Sequence, residues 1–302
     1  MSLGICCQYM VKKNSKYINL CAKKTLRLGQ FNDGAYPDKR IIDTWNSNLQ
    51  NLFKVLKIVN DQGFKLFRVS SNLFPLYDKK PELLNSNISS MLKTIGDFVK
   101  SNNIRITSHP DQFVVLSSNN KNVISNSIEM LKHHAWIFDS MGLDMNSKYS
   151  INIHGGVRGN SNVLINSINN LPDNVRKRLT LENDELAYSV NDLYAVHLET
   201  KVPLCFDTHH HTFNDAGLSI NAGLDLAIST WSGIKPLTHL SNTDPKNVNG
   251  SFQEKRKHSE YVHYVPEYQR VLNNTGLIDI EMEFKMKNVA IEDCLNRFEV
   301  VK

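Results

Sequence analysis

The sequence contains no apolar run approaching the ~18–20 residues that a membrane-spanning helix requires. Its opening segment, MSLGICCQYM, is apolar over only a few residues and has no positively charged stretch before them. It therefore matches a secretory signal peptide poorly. These two absences predict a soluble, intracellular protein with no membrane partner.

Cysteine is scarce and is not arranged in pairs. No CxxC pair occurs, and the cysteines are odd in number and scattered, so neither a disulfide framework nor a zinc ribbon is indicated. The five are Cys6, Cys7, Cys21, Cys205 and Cys294. We expect reduced thiols, most of them buried.

Linkers and charge blocks are also missing. No stretch rich in Gly, Pro or Ser divides the 302 residues, so the sequence predicts one domain over 1–302. Hydrophobic residues make up 41% and charged residues 22% of the chain, which is typical of a globular protein with a sizeable core. The formal net charge of +5 favours a polyanionic partner but does not identify one.

Short apolar runs alternate with longer amphipathic stretches along the chain. In 45–60, 125–141 and 190–199, apolar residues recur at three- and four-residue steps, which places them on one face of a helix. The strand-like runs are 3–7, 65–69, 104–107, 149–154, 179–182, 203–207, 236–240 and 278–283.

Eight strand-like runs that alternate with helical stretches indicate a parallel sheet. A doubly wound sheet usually has fewer strands, so the count favours a closed barrel. The sequence therefore predicts an α/β protein with a single (β/α)8 TIM barrel. We expect loop insertions at the barrel mouth near 12–40 and 243–264.

Residues that bind metals recur at the ends of the third to eighth runs. They are His109, His154, Glu182, Asp207, His210, His239 and Glu283. The carboxyl ends of barrel strands converge on one face, so these side chains should meet there. Without cations between them, seven such groups would repel one another or be buried without partners. This predicts a metal site.

The mixture of imidazoles and carboxylates suits zinc, manganese or iron rather than calcium, which prefers oxygen ligands. A site with several ions is well suited to phosphoryl chemistry. His258, in the long segment after the seventh run, is a further candidate ligand that reaches back to the site. We expect structural roles for the remaining histidines, which are His133, His134, His197, His209, His211 and His263.

At these positions the sequence resembles the ultraviolet-damage endonuclease family. The segments that carry the resemblance are FRVSSNLFP (67–75), SHPDQFVVL (108–116), NIHGG (152–156), LTLENDE (179–185), FDTHHH (206–211), THLSN with the following DP (238–245) and MEFKMKN (282–288). They are spread over most of the chain, and together they are far more specific than any one of them.

The resemblance implies a barrel related to the endonuclease IV-type apurinic endonucleases. It implies an enzyme that incises damaged double-stranded DNA immediately 5′ of a photolesion. We expect the protein to be a monomer, although the sequence itself leaves the oligomeric state open. It also implies two or three divalent ions per chain, manganese first and zinc as the alternative. Carried over by motif, the ligands are His109, His154, Glu182, Asp207, His210, His239, His258 and Glu283.

The family's His-Pro-x-Gln-Tyr segment probes the distorted duplex, and here it reads His-Pro-Asp-Gln-Phe. The resemblance therefore implies that Gln112 and Phe113 bind the lesion. Glutamine can bond to exposed base edges, and an aromatic ring can stack in the gap of a kinked duplex. A core aromatic is the alternative role for Phe113.

The sequence departs from the family pattern at three places. Where members carry a further His ligand after the Leu-Phe-Pro segment, this chain has Asp78 or Lys79, and Asp78 is either a ligand or a turn residue. Leu237 replaces a lysine that is modified in some members, and Ile5 replaces a common tyrosine. The first departure leaves open whether the site binds a third ion.

Our hypothesis is phosphodiester hydrolysis by a metal-bound hydroxide, with Glu182, His239 and Glu283 as catalytic residues. Glu182 would bridge two ions. Basic residues of the mouth could contact phosphates or simply be solvated; they are Lys246, Lys255, Arg256 and Lys257. The alternatives are an apurinic-site endonuclease, a metal-dependent sugar isomerase and a non-catalytic DNA-binding barrel.

Overall fold

A computed structural model describes residues 2–20 and 25–298. Cys21, for which we expect a reduced thiol, lies outside these ranges. So does part of the predicted 12–40 insertion.

Eight strands form a closed parallel barrel, and two more form a separate antiparallel hairpin. The ten strands are β1 (Leu3–Cys6), β2 (Met10–Lys13), β3 (Lys16–Asn19), β4 (Leu66–Val69), β5 (Arg105–Ser108), β6 (Ile151–His154), β7 (Leu179–Glu182), β8 (Leu204–Asp207), β9 (Leu237–Leu240) and β10 (Asp279–Met282). The barrel order is β1-β10-β9-β8-β7-β6-β5-β4, and β4 pairs with β1 to close it. The predicted TIM barrel is confirmed, and each of the eight predicted runs coincides with one barrel strand. Only β5 extends past its predicted run, by one residue, to Ser108.

Helices follow the strands and cover the barrel. They are α1 (Leu28–Asn32), α2 (Asp38–Asp61), α3 (Ser86–Ser101), α4 (Lys121–Ser140), α5 (Ser161–Asn169), α6 (Asp173–Arg176), α7 (Val190–Thr200), α8 (Thr208–His211), α9 (Ile220–Ile228), α10 (Phe252–Lys255), α11 (Glu267–Asn274) and α12 (Asn288–Arg297). Three single turns of 3-10 helix lie at Pro81–Leu83, Ser147–Tyr149 and Pro245–Asn247. The predicted helical stretches correspond to α2, α4 and α7.

The strand register brings the chemistry-bearing residues side by side. His154 of β6 is the Cα partner of Glu182 in β7, and Asp207 of β8 is the partner of His239 in β9. His239 is in turn the partner of Glu281 in β10. Because neighbouring parallel strands lie about 5 Å apart, this register places ligand-type side chains within reach of one another.

Both predicted insertions follow the carboxyl end of a barrel strand. The hairpin of β2 and β3 and helix α1 lie between β1 and α2. The segment after β9 contains a 3-10 turn and α10, and a bridge between Thr243 and His258 ties its two ends together. The assignment of 1–302 to one domain stays a prediction.

The described cysteines are free, as predicted. Cys6, Cys205 and Cys294 are buried and Cys7 is partly exposed. Burial raises the pKa of the Cys205 thiol to about 11, so this group stays protonated at neutral pH. Across 2–20 and 25–298, no helix is long and apolar enough to cross a membrane.

Gly96 generates a prediction about packing around the barrel. It lies in α3, and a Cβ at this position would overlap the backbone carbonyl of Met141 at the end of α4. We expect Gly96→Ala to lower the free energy of unfolding by about 1–3 kcal/mol, although alanine favours helices. Denaturant unfolding measures this. Gly29→Ala in α1 is the control, since a Cβ there would have no described atom within 4 Å apart from its chain neighbours and its own helix backbone. Equal effects of the two substitutions would contradict the packing argument.

Candidate metal centre

A first group of metal-capable donors lies across β5, β6 and β7. His109 directly follows β5, His154 ends β6 and Glu182 ends β7. One donor atom from each lies within 4.8 Å of the others. His109 Nε2 is 3.0 Å from Glu182 Oε2, and the rings of His109 and His154 have centroids 5.1 Å apart. Two imidazoles and a carboxylate oxygen thus face one point.

A second group shares Glu182 with the first. It consists of Glu182, Asp207, His239 and Glu283, whose donor atoms also lie within 4.8 Å of one another. His239 Nδ1 is 3.0 Å from Glu182 Oε1 and 3.1 Å from Glu283 Oε1. The two oxygens of Glu182 therefore point to different groups, Oε2 to His109 and Oε1 to His239. This is the arrangement that a bridging carboxylate requires.

His210 and His258 lie beside these groups rather than within them. His210, in α8, has its Nδ1 3.5 Å from Glu182 Oε1 and 3.9 Å from Asp207 Oδ1. The same nitrogen is 3.0 Å from the backbone oxygen of Asn183. His258 Nδ1 is 3.6 Å from Glu283 Oε2. The structure thus brings all eight predicted ligands to one mouth, and their role as ligands stays a prediction.

Two buried donor atoms show that the residues fit a bound cation. Within the described part of the chain, His154 Nδ1 and Asp207 Oδ2 have no hydrogen-bond partner. Buried polar atoms are rarely left unpaired, because the lost hydration is costly. Each atom belongs to a residue of one donor group, and imidazole with carboxylate is a donor set for manganese, zinc or iron.

Electrostatics keeps the shared carboxylate ionised. Burial alone raises the pKa of Glu182, but the adjacent His239 imidazole holds that pKa well below its usual range. Burial lowers the pKa of His154, so its ring is neutral and can donate a lone pair. Burial also lowers the pKa of His210, but Asp207 and Glu182 outweigh burial and raise it to about 9. His210 must therefore release a proton before it can bind a cation.

Arg68 of β4 lies in the candidate site, and the sequence analysis did not identify it. Its Nε lies 2.5 Å from Glu281 Oε2, and its Nη2 lies 2.5 Å from Glu283 Oε1 and 2.8 Å from His239 Nε2. Burial raises the pKa of Glu281, but the Arg68 guanidinium outweighs it and lowers the pKa to about 2. The sequence feature that could have revealed Arg68 is a charged residue inside an otherwise apolar, strand-like run.

Glu281 and Asn152 were also missed. Glu281 and Glu283 form a third donor group with Cys6. Arg68 contacts both carboxylates, so its single positive charge offsets part of their negative charge. Asn152 donates to Glu182 Oε2 and accepts a 2.8 Å hydrogen bond from Thr180 Oγ1, so it fixes the orientation of the shared carboxylate.

The residues at which the sequence departs from the family pattern belong to none of the donor groups found among the described residues. Asp78 forms a 2.9 Å ion pair with Lys79, and both side chains are about half exposed. Among the described residues, Asp78 belongs to no donor group. Leu237 is buried in an apolar cluster, and Ile5 is buried in the barrel core. This placement fits the alternative in which Asp78 is a turn residue.

His133, His197 and His209, which are expected to be structural, have protein partners. His133 stacks on Tyr77, with ring centroids 3.3 Å apart, and burial lowers its pKa to about 2. His197 Nδ1 is 2.9 Å from the backbone oxygen of Val202. His209 lies 3.0 Å from both Ser241 Oγ and Thr243 Oγ1.

The loop after β5 presents the two predicted lesion-binding residues. Gln112 is exposed, and Phe113 is 72% exposed, the largest value among the exposed hydrophobic side chains of the described residues. This exposure excludes the core role for Phe113. Asp111 anchors the loop, because Ser71 Oγ donates a 2.7 Å hydrogen bond to its Oδ1. Lesion binding stays a prediction.

Arg256, in the insertion after β9, is linked to the candidate metal centre through Glu185. Its Nη2 is 2.7 Å from Glu185 Oε1, and Glu185 Oε2 is 3.7 Å from His210 Nε2. Lys246 instead pairs with Asp244 at 3.0 Å. A phosphate contact by Arg256 would therefore compete with its pairing to Glu185.

Removing a donor tests the metal centre. We expect His154→Ala to weaken Mn²⁺ binding at least about tenfold, since it removes a buried donor from the first group. His197→Ala is the matched control, because His197 belongs to no donor group among the described residues and its Nδ1 contacts the loop between α7 and β8. Equilibrium titration of Mn²⁺ with elemental analysis measures both. Equal ion content and affinity in the two variants would rule out His154 as a ligand.

Comparison with known proteins assigns the family. A UV DNA damage endonuclease of Nostoc sp. is 34% identical over 298 residues, which cover 96% of this chain and 88% of that protein. The crystal structure of SacUVDE superposes with a TM-score of 0.81 at 30% identity and covers 99% of both chains. A D-psicose 3-epimerase of Clostridium cellulolyticum shares the fold alone, with a TM-score of 0.52 at 13% identity over 82% of this chain and 86% of that one. The family model described as UV-endonuclease UvdE matches residues 1–301, and the chain belongs to this family.

Proposed function

We propose that this protein is a DNA-repair endonuclease that incises the backbone of duplex DNA on the 5′ side of ultraviolet photolesions. Family membership supports the substrate class, since relatives carry the name UV DNA damage endonuclease. The observation that carries the chemistry is the carboxylate of Glu182, which faces two donor groups at once. We further propose that the protein acts inside the cell, as a monomer, on damaged double-stranded DNA.

We propose that the mouth holds two or three divalent ions, with manganese first and zinc as the alternative. His109, His154 and Glu182 would hold one ion, and Glu182, Asp207, His239 and Glu283 a second. His210 and His258, which lie 3.5 and 3.6 Å from the carboxylates of Glu182 and Glu283, would contribute to a third. When bound, such ions would activate a water nucleophile and neutralise the charge that develops on the phosphate.

The protein's own side chains would keep this donor set in place. Arg68 holds Glu281 and Glu283 by direct ion pairs, and Asn152 holds Glu182. These contacts restrict the rotamers of the carboxylates, which lowers the cost of assembling them around cations. The residues that we predicted to be catalytic, Glu182, His239 and Glu283, would act as ligands within this supported set.

Recognition of the lesion would come from the exposed loop after β5. A photolesion weakens base stacking and kinks the duplex, so an exposed ring can enter the gap at low cost. Phe113 has the required exposure, and Gln112 beside it can bond to base edges. Phenylalanine supplies stacking without the hydroxyl that the family's tyrosine has, so the polar contact would fall to Gln112.

Incision of defined duplexes tests the proposal. The purified protein with Mn²⁺ is mixed with end-labelled duplexes that contain a cyclobutane dimer, a 6-4 photoproduct, an abasic site or no lesion. We expect cutting immediately 5′ of the two photoproducts and little cutting of the intact duplex. Cutting of the abasic duplex alone would replace the proposal with an apurinic-site endonuclease. A folded, metal-loaded protein that cuts none of the four would exclude both.

Phe113 provides a second test. We expect Phe113→Ala to lower kcat/KM for the dimer duplex roughly 5- to 150-fold, since base–aromatic stacking contributes about 1–3 kcal/mol. Leu198→Ala is the control, because Leu198 is also an exposed apolar residue, at 50%, but lies on helix α7. Steady-state incision assays measure both variants. Wild-type rates in Phe113→Ala would show that the ring does not contact the lesion.

A further inference from the structure

The end of the barrel opposite the candidate metal centre contains a second polar cavity, of about 430 Å³. Its charged lining residues are Lys65, Arg105, Lys148, Lys235 and Asp279. Lys65 directly precedes β4, while Arg105 opens β5 and Asp279 opens β10. Strand starts converge on the amino-terminal face of a parallel barrel, so this cavity is separated from the mouth by the barrel core.

The lining carries four cations and a single carboxylate. Asp279 pairs with Arg105 at 2.9 Å and with Lys235 at 2.7 Å. The cavity therefore has an excess of three positive charges. Arg105 is buried and the three lysines are half-buried, whereas lysines without an anionic partner are usually exposed. Half-buried cations lose hydration that a single carboxylate does not replace.

Lys65 and Lys148 have only neutral partners in the described structure. Lys65 Nζ donates to Asn60 Oδ1 at 2.8 Å and to the backbone oxygen of Asn102 at 3.0 Å. Lys148 Nζ donates to Asn103 Oδ1 at 3.3 Å. Each ammonium group has three N–H donors, so these contacts leave one on Lys65 and two on Lys148 for a further acceptor.

A purely structural role explains only part of this arrangement. Charged residues at the amino-terminal face of a barrel usually stabilise the fold. The pairs of Asp279 with Arg105 and Lys235 fit that role, because they join β5 and β10 and the loop before β9. Lys65 and Lys148 stand outside these pairs, and their charges add to the cavity without a compensating carboxylate.

We propose that this cavity binds a phosphate monoester dianion, either inorganic phosphate or the 5′-phosphate of a mononucleotide. A dianion would accept the remaining N–H donors of Lys65 and Lys148 and offset most of the excess positive charge. The cavity volume falls in the range of about 300–1,000 Å³ that is typical of small-molecule sites. This site is independent of the proposed endonuclease activity, since it lies at the other end of the barrel.

Calorimetric titration of the metal-loaded protein tests the proposal. Inorganic phosphate and a deoxynucleoside 5′-monophosphate are titrated separately at constant ionic strength. The test variant is Lys65→Gln/Lys148→Gln. The matched control is Lys93→Gln/Lys132→Gln, which removes the same charge from exposed lysines that pair with Asp97 and Glu129. Anions bound at the metal centre would behave alike in all of these proteins.

We expect saturable binding in the wild type and the control, and affinity at least about tenfold lower in the test variant. Lys65→Arg/Lys148→Arg should retain binding, because the charges stay in place. If the mononucleotide binds more tightly than inorganic phosphate, the mononucleotide is the ligand. If the two bind equally, the cavity recognises the phosphate group alone. The absence of saturable binding, or equal affinity in test and control variants, would overturn the proposal. If the double variant does not fold, the affinities of the single variants Lys65→Gln and Lys148→Gln are compared with that of the control in the same way.

Discussion

The position of one carboxylate determines what this barrel mouth can do. Glu182 ends β7 fully buried, with Oε2 3.0 Å from His109 and Oε1 3.0 Å from His239. A buried carboxylate is costly unless cations or hydrogen-bond donors surround it. Glu182 meets this need from both sides, and each side belongs to a separate group of metal-capable donors. The proposed pair of ions, and hence the proposed chemistry, depends on this shared group.

The barrel produces this arrangement through strand register and a supporting set of polar contacts. Parallel pairing puts His154 beside Glu182 and Asp207 beside His239. Arg68 forms ion pairs with both Glu281 and Glu283. In the described chain, the buried atoms His154 Nδ1 and Asp207 Oδ2 have no hydrogen-bond partner. The site is thus largely preorganised on strands, while its exposed part, Gln112 and Phe113, lies on a loop. This division would separate the proposed binding of ions at a rigid site from the proposed contact with a deformable duplex.

The fold was predictable because each barrel strand is a short apolar run bounded by helical periodicity. The meeting of the candidate ligands at one mouth was predictable for a related reason: His109, His154 and Glu182 occur where such runs end, and strand ends meet in a barrel. Arg68 and Asn152 were not, because one polar residue inside a strand run has no spacing that reveals its partners across the barrel. The cations of the amino-terminal cavity were missed likewise, since Lys65 and Lys148 are 83 positions apart and are brought to one face only because β4, β5 and β6 are neighbours in the barrel. Sequence spacing therefore identified the residues at the ends of the strands, but it did not identify the side-chain contacts between residues that are far apart in the sequence.

Anomalous diffraction from crystals of the protein grown with Mn²⁺ would test the shared role of Glu182 most directly. We predict two manganese peaks that both contact its carboxylate. One would also contact His109 and His154, and the other Asp207, His239 and Glu283. A third, weaker peak near His210 and His258 would agree with this account. The account would be contradicted by manganese bound elsewhere with none at Glu182, or by a single ion that uses only one of the two donor groups.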